Sequence, residues 1–186
     1  MELTEQIRCL FEDRDSFARM SAAVEIERYE PVLFDFFKYP LGVSLIGVKK
    51  DQVRTVTEAF SVLFILDLFN QNEWIQNEAE RTEPGQEVME IPPVDEWEVL
   101  LRDVWINHYF ELKYRTFNIT VRDVNAFQRD LLQWLPANAP GGDAVRLKQE
   151  LQSTRWVVSL FPDAFYDKYF GETDQYYFFA ESGVYD

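Results

Sequence analysis

The chain has 186 residues, 47% hydrophobic and 16% aromatic, and its 33 acids against 18 Lys and Arg give a formal charge of −15. That length most simply makes one domain, residues 1–186, able to bury a core dense in large rings. One cysteine, Cys9, excludes an intrachain disulfide, and seven glycines with eight prolines are too few for a turn-rich all-β fold. No structural zinc site can be built from one His and one Cys.

The charge is unevenly placed. Residues 73–98 carry nine acids against Arg81 alone, and residues 162–186 carry six acids against Lys168 alone. A field of this kind repels nucleic acid and anionic membrane and attracts basic surfaces. The N-terminus has neither a basic nor an apolar leader region, and the longest apolar run is interrupted by Asp67. A membrane-spanning helix needs ~20 apolar residues. A soluble, cytoplasmic protein is the expectation.

In chain order, Thr4 and then Asp15 or Ser16 stand as caps for two short helices, with Ile7, Leu10, Phe11, Phe17, Met20 and Val24 on their inward faces. Pro31 suits the first turn of a third apolar segment, Val32 to Phe37. Val43 to Val48 reads as an extended connector, because a single short strand cannot form a sheet alone. Asp51 then caps the longest helix, residues 51–81, whose centre from Ala59 to Phe69 is apolar on nearly every side except at Asp67. A salt bridge from Asp67 to an arginine of a neighbouring helix, or an edge position, accounts for it without catalysis.

Residues 82–93 break the pattern as an acidic loop marked by Pro84-Gly85 and Pro92-Pro93. Asp95-x-x-Glu98 opens a further helix with Trp97, Leu101, Trp105 and the lone His108 on its stripe. Thr120 caps the next, which buries Val124, Phe127 and Leu131. Another helix follows Gly141-Gly142 and places Leu147, Leu151, Val158 and Phe161 inward. Pro162 opens a last short helix that Gly171 closes. Residues 172–186 form an acidic aromatic C-terminal tail with four consecutive rings, Tyr176 to Phe179. These patterns predict an all-α fold: one bundle of about seven or eight helices around the buried helix, with at most a minor short-strand element.

Motifs for nucleophilic catalysis or phosphate binding are missing: there is no G-x-S-x-G, G-x-G-x-x-G or Walker A sequence. Carboxylate pairs at Glu27/Glu30, Glu80/Glu83 and Glu87/Glu90 have the spacing of a Mg²⁺-dependent all-α nucleotide pyrophosphohydrolase site, an alternative reading. The leading expectation is an inhibitor without enzyme activity or cofactor. It would cover the basic surface of a nuclease or nucleic-acid-binding protein, as toxin-immunity and phage anti-defence DNA mimics do. It would contact neither nucleic acid nor membrane directly. Its partner-binding residues are Glu73, Glu78, Glu80, Glu83, Glu87, Glu90 and Asp174, which steer, with Tyr176, Tyr177 and Phe178 as anchors. A third reading makes the chain an adaptor that docks through the aromatic tail.

Overall fold

A six-stranded antiparallel sheet, not a helical bundle, organises the chain. The structure, a computed structural model, describes residues 2–38, 41–79, 119–132, 148–162 and 166–184. In order these form α1 (Leu3–Glu12), α2 (Arg14–Ala22), β1 (Val32–Lys38), β2 (Leu41–Lys49), α3 (Val56–Ala79), β3 (Thr120–Val121), α4 (Val124–Leu132), β4 (Trp156–Pro162), β5 (Tyr166–Glu172) and β6 (Tyr176–Val184). Short 3₁₀ turns cover Ile26–Arg28 and Lys50–Gln52, and residues 148–152 are helical. The strand order is β1-β2-β6-β5-β4-β3.

The expectation of an all-α bundle is therefore overturned, and the reason is physical. Helices cover both faces of the sheet. On one face Ile46, Val48, Val158, Leu160, Phe170 and Phe179 pack with α1, α2 and α3. On the other Val43, Leu45, Val157, Tyr169, Phe178 and Ala180 pack with Phe127 and Leu131 of α4 and with Leu151. A strand buried on both sides has no polar face, so it reads as an unbroken apolar run and loses the period of two that would reveal it. Tyr176 to Phe179 is such a run, while Val32 to Phe37, on the edge, is nearly as apolar although Leu33 is exposed. Pro31 starts no helix; it precedes an edge strand, where a residue without an N–H is tolerated.

The "connector" at residues 43–48 is strand β2. It pairs with β1 from Val32↔Gly47 to Lys38↔Leu41 and with β6 from Leu41↔Val184 to Lys49↔Tyr176. The C-terminal residues read as a tail supply β6, a central strand. Pro162 ends β4 instead of opening a helix. Gly171 lies inside β5, where a Cβ would stand 2.8 Å from Phe178 Cε1 and 3.0 Å from the Trp156 carbonyl oxygen. Its lack of a side chain makes room for that ring. Val158 and Phe161 belong to β4, because the helix at 148–152 stops there. Thr154 Oγ1 donates to the Leu151 carbonyl (2.7 Å) and closes its last turn.

The long helix begins at Val56, with a cap that reasoning from Asp51 missed. Thr55 Oγ1 accepts from the Glu58 N–H (3.0 Å), and Glu58 Oε2 accepts from the Arg54 N–H (2.7 Å), an S/T-x-x-E box shifted by one residue. All residues from Ala59 to Asp67 are buried, because α3 lies between the sheet and the α1–α2 pair. Phe60 meets Phe170 and Phe179 edge to face, each at 5.1 Å, and Phe17 of α2 closes on Phe64 at 4.9 Å. Asp13 caps α2, where Asp15 or Ser16 was expected, and Asp123 caps α4, where Thr120 was expected.

Candidate functional site

The least expected feature of the core is a buried ion triple. Asp67 of α3 faces the sheet at the point where β5 brings Lys168 and β6 brings Glu181, cross-strand partners in the register. Lys168 Nζ donates to Asp67 Oδ2 and, at 2.5 Å, to Glu181 Oε1. The same ammonium lies 5.1 Å from the centre of the Phe179 ring. Lys168 is only 3% exposed, so the group is sealed rather than open to a substrate. Two carboxylates around one ammonium fix the position of α3 on the sheet. An uncompensated charge there is costly, so any other seating of the helix is penalised. The expected salt bridge at Asp67 thus exists, but its cation is a lysine from a strand. Asp67 was visible in the sequence as a lone charge in an apolar run, whereas Lys168 stands next to Asp167.

A second polar cluster sits where β5 turns into β6. Thr173 organises the turn: its N–H donates to the Tyr176 carbonyl (2.8 Å), and its Oγ1 accepts from the Tyr176 N–H (2.9 Å). Just before it, Glu172 accepts from Lys50 Nζ and from Trp156 Nε1 (2.6 Å), with Arg155 Nη1 at 3.7 Å. Lys50 also stands over the Tyr177 ring at 5.7 Å. Burial, with the neighbouring Glu172 carboxylate, raises the Tyr177 phenol above its ordinary pKa.

On the opposite face, Tyr169 O–H donates to Asp167 Oδ2 (2.8 Å). Burial chiefly, and this bond, push its pKa up to about 12. Arg122 pairs with the same carboxylate at 3.2 Å.

These contacts relocate the acidic surface. Asp167, Glu172, Asp174 and Glu181, four of the six acids in the C-terminal segment, are paired with cations of the same chain. Asp174 is exposed, but Arg155 Nε holds it at 2.8 Å. Tyr176 and Phe178 are buried within the sheet, and Tyr177 is half-buried beside Trp156. The structure brings Tyr176, Tyr177 and Phe178 together in a strand, with Tyr177 facing opposite to the other two. Glu73 and Glu78 lie in the second half of α3. Glu80, Glu83, Glu87 and Glu90, the 82–93 loop and His108 fall outside the described residues.

Of the three carboxylate pairs, only Glu27/Glu30 is described. Both side chains are exposed, not on a shared helix, and Glu30 pairs with Lys49 at 3.4 Å. Among the described residues no group of three or more His, Cys, Asp or Glu is placed to hold a metal. None of their helices is long and apolar enough to cross a membrane. Cys9 is exposed on α1.

The α4 face also carries an apolar groove of ≈ 540 Å³, mouth included, between β1 and the helical residues 148–152. Val32, Phe34, Leu45, Leu151 and Phe178 form its walls, and Glu150 stands at its polar side. No known family model, curated protein or solved structure matches this chain.

Proposed function

We propose that this protein acts by binding, with its negative surface covering the basic face of another protein. In its sharper form the reading is an inhibitor of the toxin-immunity or anti-defence kind, whose carboxylates stand where a nucleic acid's phosphates would lie. One observation supports it most. Within the described residues 21 acids face 13 bases, and at least seven of those bases (Arg8, Arg28, Lys49, Lys50, Arg122, Arg155 and Lys168) are already held by acids of the chain. The surplus is carried by exposed carboxylates such as Glu2, Asp15, Glu27 and Asp51.

Residues 2–30, the α1–α2 layer and the turn after it, hold eight acids against four bases. That layer packs on α3, and six of its acids, Glu2, Asp13, Asp15, Glu25, Glu27 and Glu30, are exposed. Carboxylates fixed in this way speed encounter with a cationic surface, and the target's Lys and Arg lose little on exchanging phosphate for them.

The test begins with a partner captured from the source cells on immobilised full-length protein. The expected partner is basic, is released by competing duplex DNA, and associates more slowly as salt screens the field. A partner retained in the presence of DNA, with a salt-insensitive association rate, would overturn the reading. Neutralising Glu2, Asp15 and Glu27 together should slow association without changing the fold, since all three are exposed. Removing residues 172–186 is no test of partner binding, because it takes away β6.

A further inference from the structure

The groove beside β1 owes its depth to Gly47. This residue lies directly across from Val32 in the β1–β2 register. A Cβ added there would make ordinary contacts, at 3.6 Å, with Tyr176 and the Tyr177 carbonyl oxygen, and a larger side chain would occupy the groove that Gly47 lines. Leu33, on the same edge strand, points to the opposite face and is 56% exposed. Among the described residues no strand pairs with the outer side of β1, and such an edge offers backbone groups to an extended chain.

Charge decides which chain. Glu150 lines the groove, and its one described partner, Thr173 Oγ1, is 3.4 Å away. A carboxylate accepts up to about four hydrogen bonds, so it retains capacity for an ammonium or guanidinium. Lys148, two residues earlier, lies on a different side of the helical turn. Lys49, opposite Tyr176 in the β2–β6 register, is held by Glu30.

We propose that this groove and the β1 edge receive an extended segment of the basic partner, with a large apolar side chain seated over Gly47 and a flanking Lys or Arg on Glu150. This rests on the reading of the protein as a binder of basic surfaces and adds where the partner is anchored.

The test uses the full chain and three blocked peptides, Lys-Phe-Lys-Leu-Lys, Lys-Ser-Lys-Ser-Lys and Ser-Phe-Ser-Leu-Ser, titrated at low salt. Gly47→Leu changes no charge, so it isolates the groove from the general attraction. It should weaken the Phe-bearing basic peptide roughly tenfold or more, as expected for losing a buried apolar side chain. The Ser-bearing basic peptide should be unaffected. Binding of the Phe-bearing peptide should also slow amide exchange along residues 32–38. If Gly47→Leu loses its cooperative melt, Gly47→Ala and Glu150→Gln serve instead, each expected to weaken the same peptide roughly threefold relative to the Ser peptide.

Equal affinity of the two basic peptides for the wild-type protein would overturn the anchoring groove while leaving the acidic reading intact. Indifference of the Phe peptide to the groove variants would do the same. Equal binding of the uncharged Phe peptide would remove the role given to Glu150.

Discussion

The two faces of the sheet are finished differently. The α3 face is closely packed: rings from α2, α3, β5 and β6 interlock, and the buried ammonium of Lys168 is answered by Asp67 and Glu181. The α4 face is sealed only in part. Under α4, Phe127 stacks on Phe178 and meets Tyr169 edge-on, and the Phe178 ring fills the space above Gly171. Towards β1 the space above Gly47 is left open and apolar. A chain that can interlock rings so closely on one face has no need, for stability, to leave such a space on the other. The closely packed face is where the fold is specified, and the open end is where an interaction can be accommodated.

The largest expected effect comes from removing what the faces share. Phe179 projects to one face and Phe178 and Ala180 to the other, while β6 joins the N-terminal β1–β2 pair to β5. A chain ending at Glu172 should show no cooperative thermal or urea transition, with near-ultraviolet dichroism lost. A truncated chain that melts cooperatively would mean that the two faces are independent units. The same topology makes folding wait on the chain's last strand, a high-contact-order arrangement that slows it.

Next in size is the ion triple. Lys168→Met removes the ammonium from between the buried Asp67 and the part-buried Glu181 carboxylates and should cost about 3–5 kcal/mol in urea unfolding. Asp67→Asn should cost less, because Glu181 still pairs with the ammonium. Equal losses from the two would show that the contact with α3 matters more than the buried charge.

The long helix was legible in the sequence because an apolar stretch too long for an ordinary strand, with Asp67 inside it, admits few other structures. The strands were not. Tyr176 to Phe179 is aromatic on both sides because both sides of β6 are covered, and a covered strand resembles a buried helix; Val32 to Phe37 imitates one by its rings alone. Gly171 imitated a helix terminator, although its role is to admit the Phe178 ring. The acids misled in a related way. Their number is plain in the sequence, but the pairing of Asp167, Glu172, Asp174 and Glu181 arises only when β4 and β5 bring Arg155 and Lys168, with Arg122 and Lys50, alongside them. The exposed carboxylates of residues 2–30 form a less obvious acidic stretch, because Arg8, Arg14, Arg19 and Arg28 are interspersed among them.

The two glycines sharpen the contrast within the α4 face. Gly171→Ala forces a methyl group against the Phe178 ring and the Trp156 carbonyl, and overpacking of this kind should cost about 1–3 kcal/mol. Gly47→Ala, with only ordinary contacts at 3.6 Å, should stay within roughly 0.5 kcal/mol of wild type. Urea midpoints at constant m-value decide this. Similar losses at the two positions would mean that the space above Gly47 is not open in solution.

The smallest effect is confined to alkaline solution and probes the sealed end of the α4 face. Tyr169 is buried against Phe127 and donates to Asp167, so the folded protein disfavours its phenolate and raises its pKa from 10.0 to about 12. Between those values the unfolded chain releases this proton and the folded one keeps it. The stabilisation is therefore complete below pH 10 and is lost as pH rises through about 12. Tyr169→Phe should flatten that part of the stability profile relative to wild type, while costing a hydrogen bond at neutral pH. Tyr177 is also raised, by burial first and Glu172 second, but it sits on the other face, so Tyr177→Phe provides a separate control. If Tyr169→Phe leaves the alkaline decline unchanged while Tyr177→Phe removes it, then the α4 face admits water at Tyr169 and is open along its whole length.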